Sequence, residues 1–97
     1  MKDFEPITTL RASIQRALGG NVTDRLDALT CGLMNRHIQI RAYFRSVVTV
    51  DDVDQIQCVG SEVIADFPEG YTVEEICLSV EDERPRILDF WAFFREG

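Results

Sequence analysis

Residues 29–44, LTCGLMNRHIQIRAYF, decide the fold. From Ile38 onward the reading is plain. Ile38, Ile40, Ala42 and Phe44 alternate with Gln39, Arg41, Tyr43 and Arg45, the pattern of a half-buried strand with one apolar face. The preceding half is open to two readings. Leu26, Leu29 and Leu33 fit a helix, with Asn21 and Asp24 available as a capping box. The same stretch, running into Met34-Asn35-Arg36-His37, also reads as a strand entering a hairpin turn. His37 then stands at the hairpin mouth as a solvated strand-end residue.

The flanks are amphipathic. Ile7, Leu10, Ile14, Ala17 and Leu18 recur at helical spacing, so residues 6–18 are expected to form a helix. Pro6 suits its first turn and Arg16 its negative end, and Gly19-Gly20 is expected to stop it in a left-handed conformation. Thr49 caps a second helix with Asp52 three positions on, and Asp51 and Asp52 lie in the first turn. Its buried stripe is Val53, Ile56, Val59, Val63 and Phe67, opposite a polar row of Asp51, Gln55, Cys58, Glu62 and Asp66, with Asp54 adjacent.

Phe67-Pro68-Glu69-Gly70 has the residues of a turn. Tyr71–Glu81 reads as a strand with Ile76, Leu78 and Val80 on one side, and a bulge near Glu74-Glu75 would absorb the slip of Val73. After a charged loop, Glu81-Asp82-Glu83-Arg84-Pro85, residues 86–95 read as a last strand. Leu88, Phe90, Ala92 and Phe94 form one side; Ile87, Trp91 and Phe93 form the other. Such a strand is covered twice or meets a partner. Phe44, Phe67, Phe90 and Phe94 are expected in the core, and Trp91, Phe93 and Tyr43 on the opposite sheet face.

The 97 residues suit one domain, 1–97, and composition is ordinary, 45% hydrophobic and 28% charged. No apolar run reaches the ~20 residues of a membrane span. The opening Met1–Pro6 has no apolar stretch of a secretory signal, so a cytoplasmic protein is expected. The net charge of −7 is unevenly spread. Residues 1–45 carry seven basic and four acidic groups; residues 46–97 carry three basic and thirteen acidic ones. That balance argues against direct contact with nucleic acid or an anionic membrane. An acidic half serves solubility or complements a basic partner.

Several chemistries have no residues to run on. Cys31, Cys58 and Cys77 are odd in number and form no CxxC, which fits free thiols in a reducing compartment; each is expected to act as a small buried apolar residue. With His37 alone, no multi-histidine metal site can be built, and no metal or cofactor is expected. No phosphate-cradling glycine loop or nucleophile-elbow motif occurs, and the Asn21-Val22-Thr23 sequon is a weak signal. A small enzyme using Cys58 or Cys77 would lack general bases.

Taken together, Gln15-Arg16-Ala17-Leu18-Gly19-Gly20-Asn21-Val22-Thr23, Tyr43-Phe44, Glu62-Val63-Ile64-Ala65-Asp66-Phe67-Pro68-Glu69 and the aromatic close resemble a family. The chain is similar, over nearly its whole length, to small bacterial proteins encoded beside polymorphic toxins, including immunity proteins of contact-dependent growth inhibition (the CdiI type). It departs from them at Arg45-Ser46, where relatives have Asp-Gly, and at Asp24, where they have Pro. That Pro favours the strand reading of 25–33.

With a strand at 25–33 the elements read as an α+β domain of order α-β-β-α-β-β, a mostly antiparallel four-stranded sheet with two helices on one face. The resemblance implies a non-enzymatic inhibitor of a cognate toxin C-terminal domain, a nuclease such as an RNase or tRNase whose basic groove an acidic surface would fill. The candidate contact residues are Glu74, Glu75, Glu81, Asp82 and Glu83, then Asp54, Glu62 and Asp66 (with Asp51 in the same helix row), and Trp91. The loop set is preferred because loops carry recognition more often than scaffold positions. A homodimer through the Trp91 face and a generic interaction adaptor without a toxin partner are the alternatives.

Overall fold

A computed structural model describes residues 4–20 and 22–95. The elements run α1 (Pro6–Leu18), β1 (Leu26–Met34), β2 (His37–Phe44), α2 (Val50–Ile64), β3 (Thr72–Ser79) and β4 (Phe90–Phe94). The expected order α-β-β-α-β-β holds, and the strand reading of 25–33 is met by β1, one residue displaced at each end. The capping box assigned to Asn21 lies outside the described residues.

Local chemistry explains most boundaries. Pro6 opens α1, where a missing N–H costs nothing. Thr49 and Asp52 form a reciprocal capping box at α2, each side chain accepting from the other's backbone N–H. Asn35 and Arg36 sit at φ 50° and 66°, the left-handed pair that a tight β1–β2 hairpin requires. Gly70, at φ 98°, closes the turn before β3. The left-handed stop expected of Gly19 does not occur: Gly19 is right-handed at φ −56°, and its N–H bonds the Arg16 carbonyl in a tightened last turn.

The strand order is β3-β2-β1-β4. The β1–β2 and β1–β4 pairs are antiparallel, but β2 and β3 are parallel. The sheet is therefore mixed rather than mostly antiparallel. The cause is α2, a crossover helix that returns the chain to the end where β2 began, so the next strand must run the same way.

Both helices cover one face. Leu10, Ile14, Ala17 and Leu18 of α1 and Ile56, Val59 and Val63 of α2 pack on Leu29, Cys31, Ile38, Ile40, Ala42, Phe44 and Phe90. Each fully buried Leu, Ile or Val contributes roughly 1.5–3 kcal/mol. The β2–β3 register runs unbroken from His37↔Thr72 to Phe44↔Ser79, so no bulge occurs at Glu74-Glu75. Val73 and Cys77 consequently face the helices, and Ile76 and Leu78 face away.

The irregularity lies instead in β4, which is shorter than residues 86–95. A register shift between its Phe93 and Trp91 partners turns Phe90, Ala92 and Phe93 toward the core and leaves Trp91 and Phe94 outside. Phe94 is 53% exposed, contrary to its expected core position, and Phe93 is on the helix side, contrary to its expected outer one.

β3 and β4 lie at opposite edges, so residues 80–89 must cross the helix-free face. They do so as a strap. The Arg86 N–H donates to Tyr43 Oη at 3.2 Å and the Leu88 N–H to Thr30 Oγ1 at 2.8 Å. The Asp89 N–H donates to the Cys31 carbonyl, and Asp89 Oδ2 accepts the Leu33 N–H at 2.8 Å. Tyr43 and Thr30 are thereby fully buried.

Candidate functional site

The described acids of the C-terminal half separate by what they touch. Asp52 is consumed by the fold: buried, it caps α2 and takes a bidentate contact from Arg25 Nε and a 2.8 Å contact from Nη2. The hydrogen bond from Arg25 holds its carboxyl below the usual range. Asp66, expected on the free row of α2, follows the helix and joins it to α1. It accepts from Ser13 Oγ at 2.6 Å and from Arg16, and Ser13 first, then Arg16, lower its pKa.

Glu74 and Glu75 do not form one cluster, because adjacent strand residues point to opposite faces. Glu74 is exposed on the helix-free face. Its Oε1 accepts from Gln39 Nε2 at 3.4 Å and meets His37 Nε2 at 3.2 Å, contacts that lower its pKa, with Arg41 adding a smaller effect. His37 Nδ1 is 2.7 Å from Thr72 Oγ1. Glu75 is half-buried beneath α2 against Gly60, and desolvation raises its pKa.

The remaining candidate acids make no ion pair with a described residue. Glu81 and Asp82 are exposed and Glu83 half-buried at the start of the strap. Asp51, Asp54 and Glu62 are exposed on α2, where Asp54, Gln57, Cys58, Ser61 and Glu62 line a shallow groove. Cys58 is exposed, in keeping with its place in the polar row of α2 and not with a buried apolar role; Cys31 is buried and Cys77 half-buried, and burial pushes their thiols up to about 12 and about 11. All three are free thiols. Trp91 is half-buried on the helix-free face, its ring edge-on to Phe94 at 4.8 Å.

One feature of the helix-free face escaped the sequence reading. Between the β1–β2 hairpin and the strap lies an open pocket of about 420 Å³, lined by Gly32, Leu33, Met34, His37, Gln39, Ile87, Leu88 and Asp89. Met34 is 74% exposed and Ile87 52% exposed at its walls. The available signal was Gly32, a glycine inside a strand, which marks a close approach. A Cβ there would come within 3.0 Å of Leu88 Cβ. Arg41 Nε, buried on the same face, has no partner among the described residues.

Among the described residues no helix is long and apolar enough to cross a membrane, and no three His, Cys, Asp or Glu side chains group closely enough to hold a metal ion. No curated protein matches the chain. Residues 7–97, from the second residue of α1 through β4, match the family model described as MafI2 immunity protein, and over that span the chain belongs to the MafI2 immunity protein family.

Proposed function

We propose that this immunity protein neutralises a cognate nuclease toxin by covering its cationic substrate groove with carboxylates, without catalysing any reaction. Family membership supplies the toxin as partner. The observation that carries the finer reading is the sorting of the acids. Asp52, Asp66, Glu74, Glu75 and Asp89 have contacts within the fold, whereas Asp51, Asp54, Glu62, Glu81, Asp82 and Glu83 make no ion pair with a described residue.

Solvated carboxylates of one sign steer a basic partner and stand where a nuclease binds phosphates. Within this reading the strap acids Glu81, Asp82 and Glu83 are the leading contact, the α2 row is the second, and Trp91 with Phe94 is an aromatic anchor at the β4 edge. Glu74, Glu75 and Asp66 add to the field from positions already engaged. The resemblance to contact-dependent growth inhibition proteins supports delivery by cell contact. The free thiols support a reducing cytoplasm as the place of action.

The test has two readouts. The purified cognate toxin domain is expected to cleave RNA or DNA and to lose that activity at one equivalent of this chain. The pair Glu81→Lys with Asp82→Lys is expected to slow association about tenfold at low salt and much less at high salt. A toxin that cleaves no nucleic acid, or an association rate indifferent to both reversals, overturns the reading.

A further inference from the structure

We infer that the pocket between the β1–β2 hairpin and the strap receives one long cationic side chain, arginine or lysine, from the toxin. This rests on the immunity reading and adds the anchor point to it. The strap joins the two surfaces. Its first half carries Glu81, Asp82 and Glu83, and its second half supplies Ile87, Leu88 and Asp89 as one wall of the pocket.

The lining fits that side chain. Leu33, Met34, Ile87 and Leu88 provide apolar walls for a methylene stem, which arginine and lysine bury readily while keeping the charged head at a polar rim. The rim is acidic. Asp89 Oδ2 accepts the Leu33 N–H, and Oδ1 has no partner among the described residues. Glu74 Oε1 accepts from Gln39 Nε2 and meets His37 Nε2, and its Oε2 likewise has no partner among the described residues. Two carboxylates, each with one oxygen engaged and one spare, suit a charge-assisted contact whose acceptors are already positioned.

Gly32 keeps the floor open, since any side chain there would press on Leu88. A purely apolar anchor would leave those oxygens to be desolvated without return, and an anionic one would be repelled. Met34 and Ile87 are the large exposed apolar residues of the pocket, and a side chain seated between them would bury both.

The experiment is titration calorimetry of the full chain against the cognate toxin domain, with circular dichroism confirming each variant's fold. Met34→Arg and Ile87→Arg place a like charge at the walls, and each is expected to weaken binding about 100-fold, the effect of an interface hot spot. Glu74→Gln is expected to weaken it about fivefold and to lessen its salt dependence. Ala12→Arg, on the outer side of α1, is expected to stay within about threefold of wild type, the ordinary outcome away from an interface.

Pairing Glu74→Gln with each toxin Arg→Ala or Lys→Ala is expected to find one residue whose removal abolishes the Glu74 effect. Normal toxin affinity in Met34→Arg and Ile87→Arg, or no coupled cation, overturns the pocket while leaving the immunity reading standing. Absence of any toxin binding by the wild-type chain overturns both. A wild-type dimer that Met34→Arg splits without loss of toxin affinity assigns the pocket to a second copy and overturns the proposal.

Discussion

At the scale of single residues, Asp52 does the most with one side chain. It closes the α2 cap and anchors Arg25, whose other N–H groups hold Ser46 Oγ at 3.2 Å and the Val47 carbonyl at 2.6 Å. The β2–α2 connection is thus tied to the start of β1. Its folded pKa lies below the ordinary carboxylate value, chiefly through the Arg25 hydrogen bond. The stabilisation is therefore fully present above about pH 4 and drains away as pH falls through the folded value. Asp52→Asn keeps the shape and removes the charge. It is expected to cost about 1–3 kcal/mol at pH 7 by urea denaturation, the range for a hydrogen bond to a charged group. The difference from wild type should shrink below pH 4; a constant difference down to pH 2 would mean that Asp52 acts through geometry alone.

At the scale of elements, the α2–β3 contact is set by a glycine and an acid. Gly60 lets the helix settle on β3 with the Glu75 side chain in the space a Cβ would occupy. Gly60→Ala gains helix propensity, about 1 kcal/mol, but must evict a half-buried carboxylate. The single substitution is expected to lower the melting temperature. Adding Glu75→Ala should restore it to wild type or above, because Glu75 is desolvated and its raised pKa marks a penalty for the charged form. Glu75 titration carries the opposite sign to Asp52: its penalty is present at neutral pH and is relieved as pH falls through the raised folded value. A double variant no more stable than Gly60→Ala would contradict this account.

The same contact shows what the sequence could and could not say. Helix limits at Pro6–Leu18, the Thr49–Asp52 cap and the alternation of 38–44 were legible because each depends on neighbours in the chain. The facing of β3 was not. The alternation sorted its residues into two sides without saying which was the core, and parallel pairing with β2 put Val73, Glu75 and Cys77 there and Ile76 and Leu78 outside. Pairing direction is a property of the α2 crossover, and the outward apolar residues of β3 lie on the face the strap crosses. The candidate acids were legible as charge but not as partners. Asp66 differs from Glu62 only in meeting Ser13 and Arg16, more than 45 positions earlier in the chain.

At the scale of the whole molecule, the sheet order decides where recognition can occur. Because β3 and β4 occupy opposite edges, one segment must traverse the face without helices, and it carries both outward acids and pocket walls. Thr30 fixes that segment from the centre of the sheet. Fully buried, its hydroxyl donates to the Phe90 carbonyl at 2.7 Å and accepts the Leu88 N–H at 2.8 Å. Thr30→Val keeps the volume and removes the partner of the Leu88 N–H and of the Phe90 carbonyl, at an expected cost of about 2–4 kcal/mol. For a chain of this size that lowers the melting temperature by roughly 10–25 °C. Hydrogen exchange gives the sharper reading. The Leu88 amide should lose protection well beyond the global change, while the Ile56 and Val59 amides of α2 follow global stability alone. If the pocket is where the toxin anchors, the same variant must also bind it more weakly by faster dissociation, since the strap would then have to be ordered on binding. Uniform loss of protection across helices and strap would show that the crossing segment is as firmly held without Thr30 as with it.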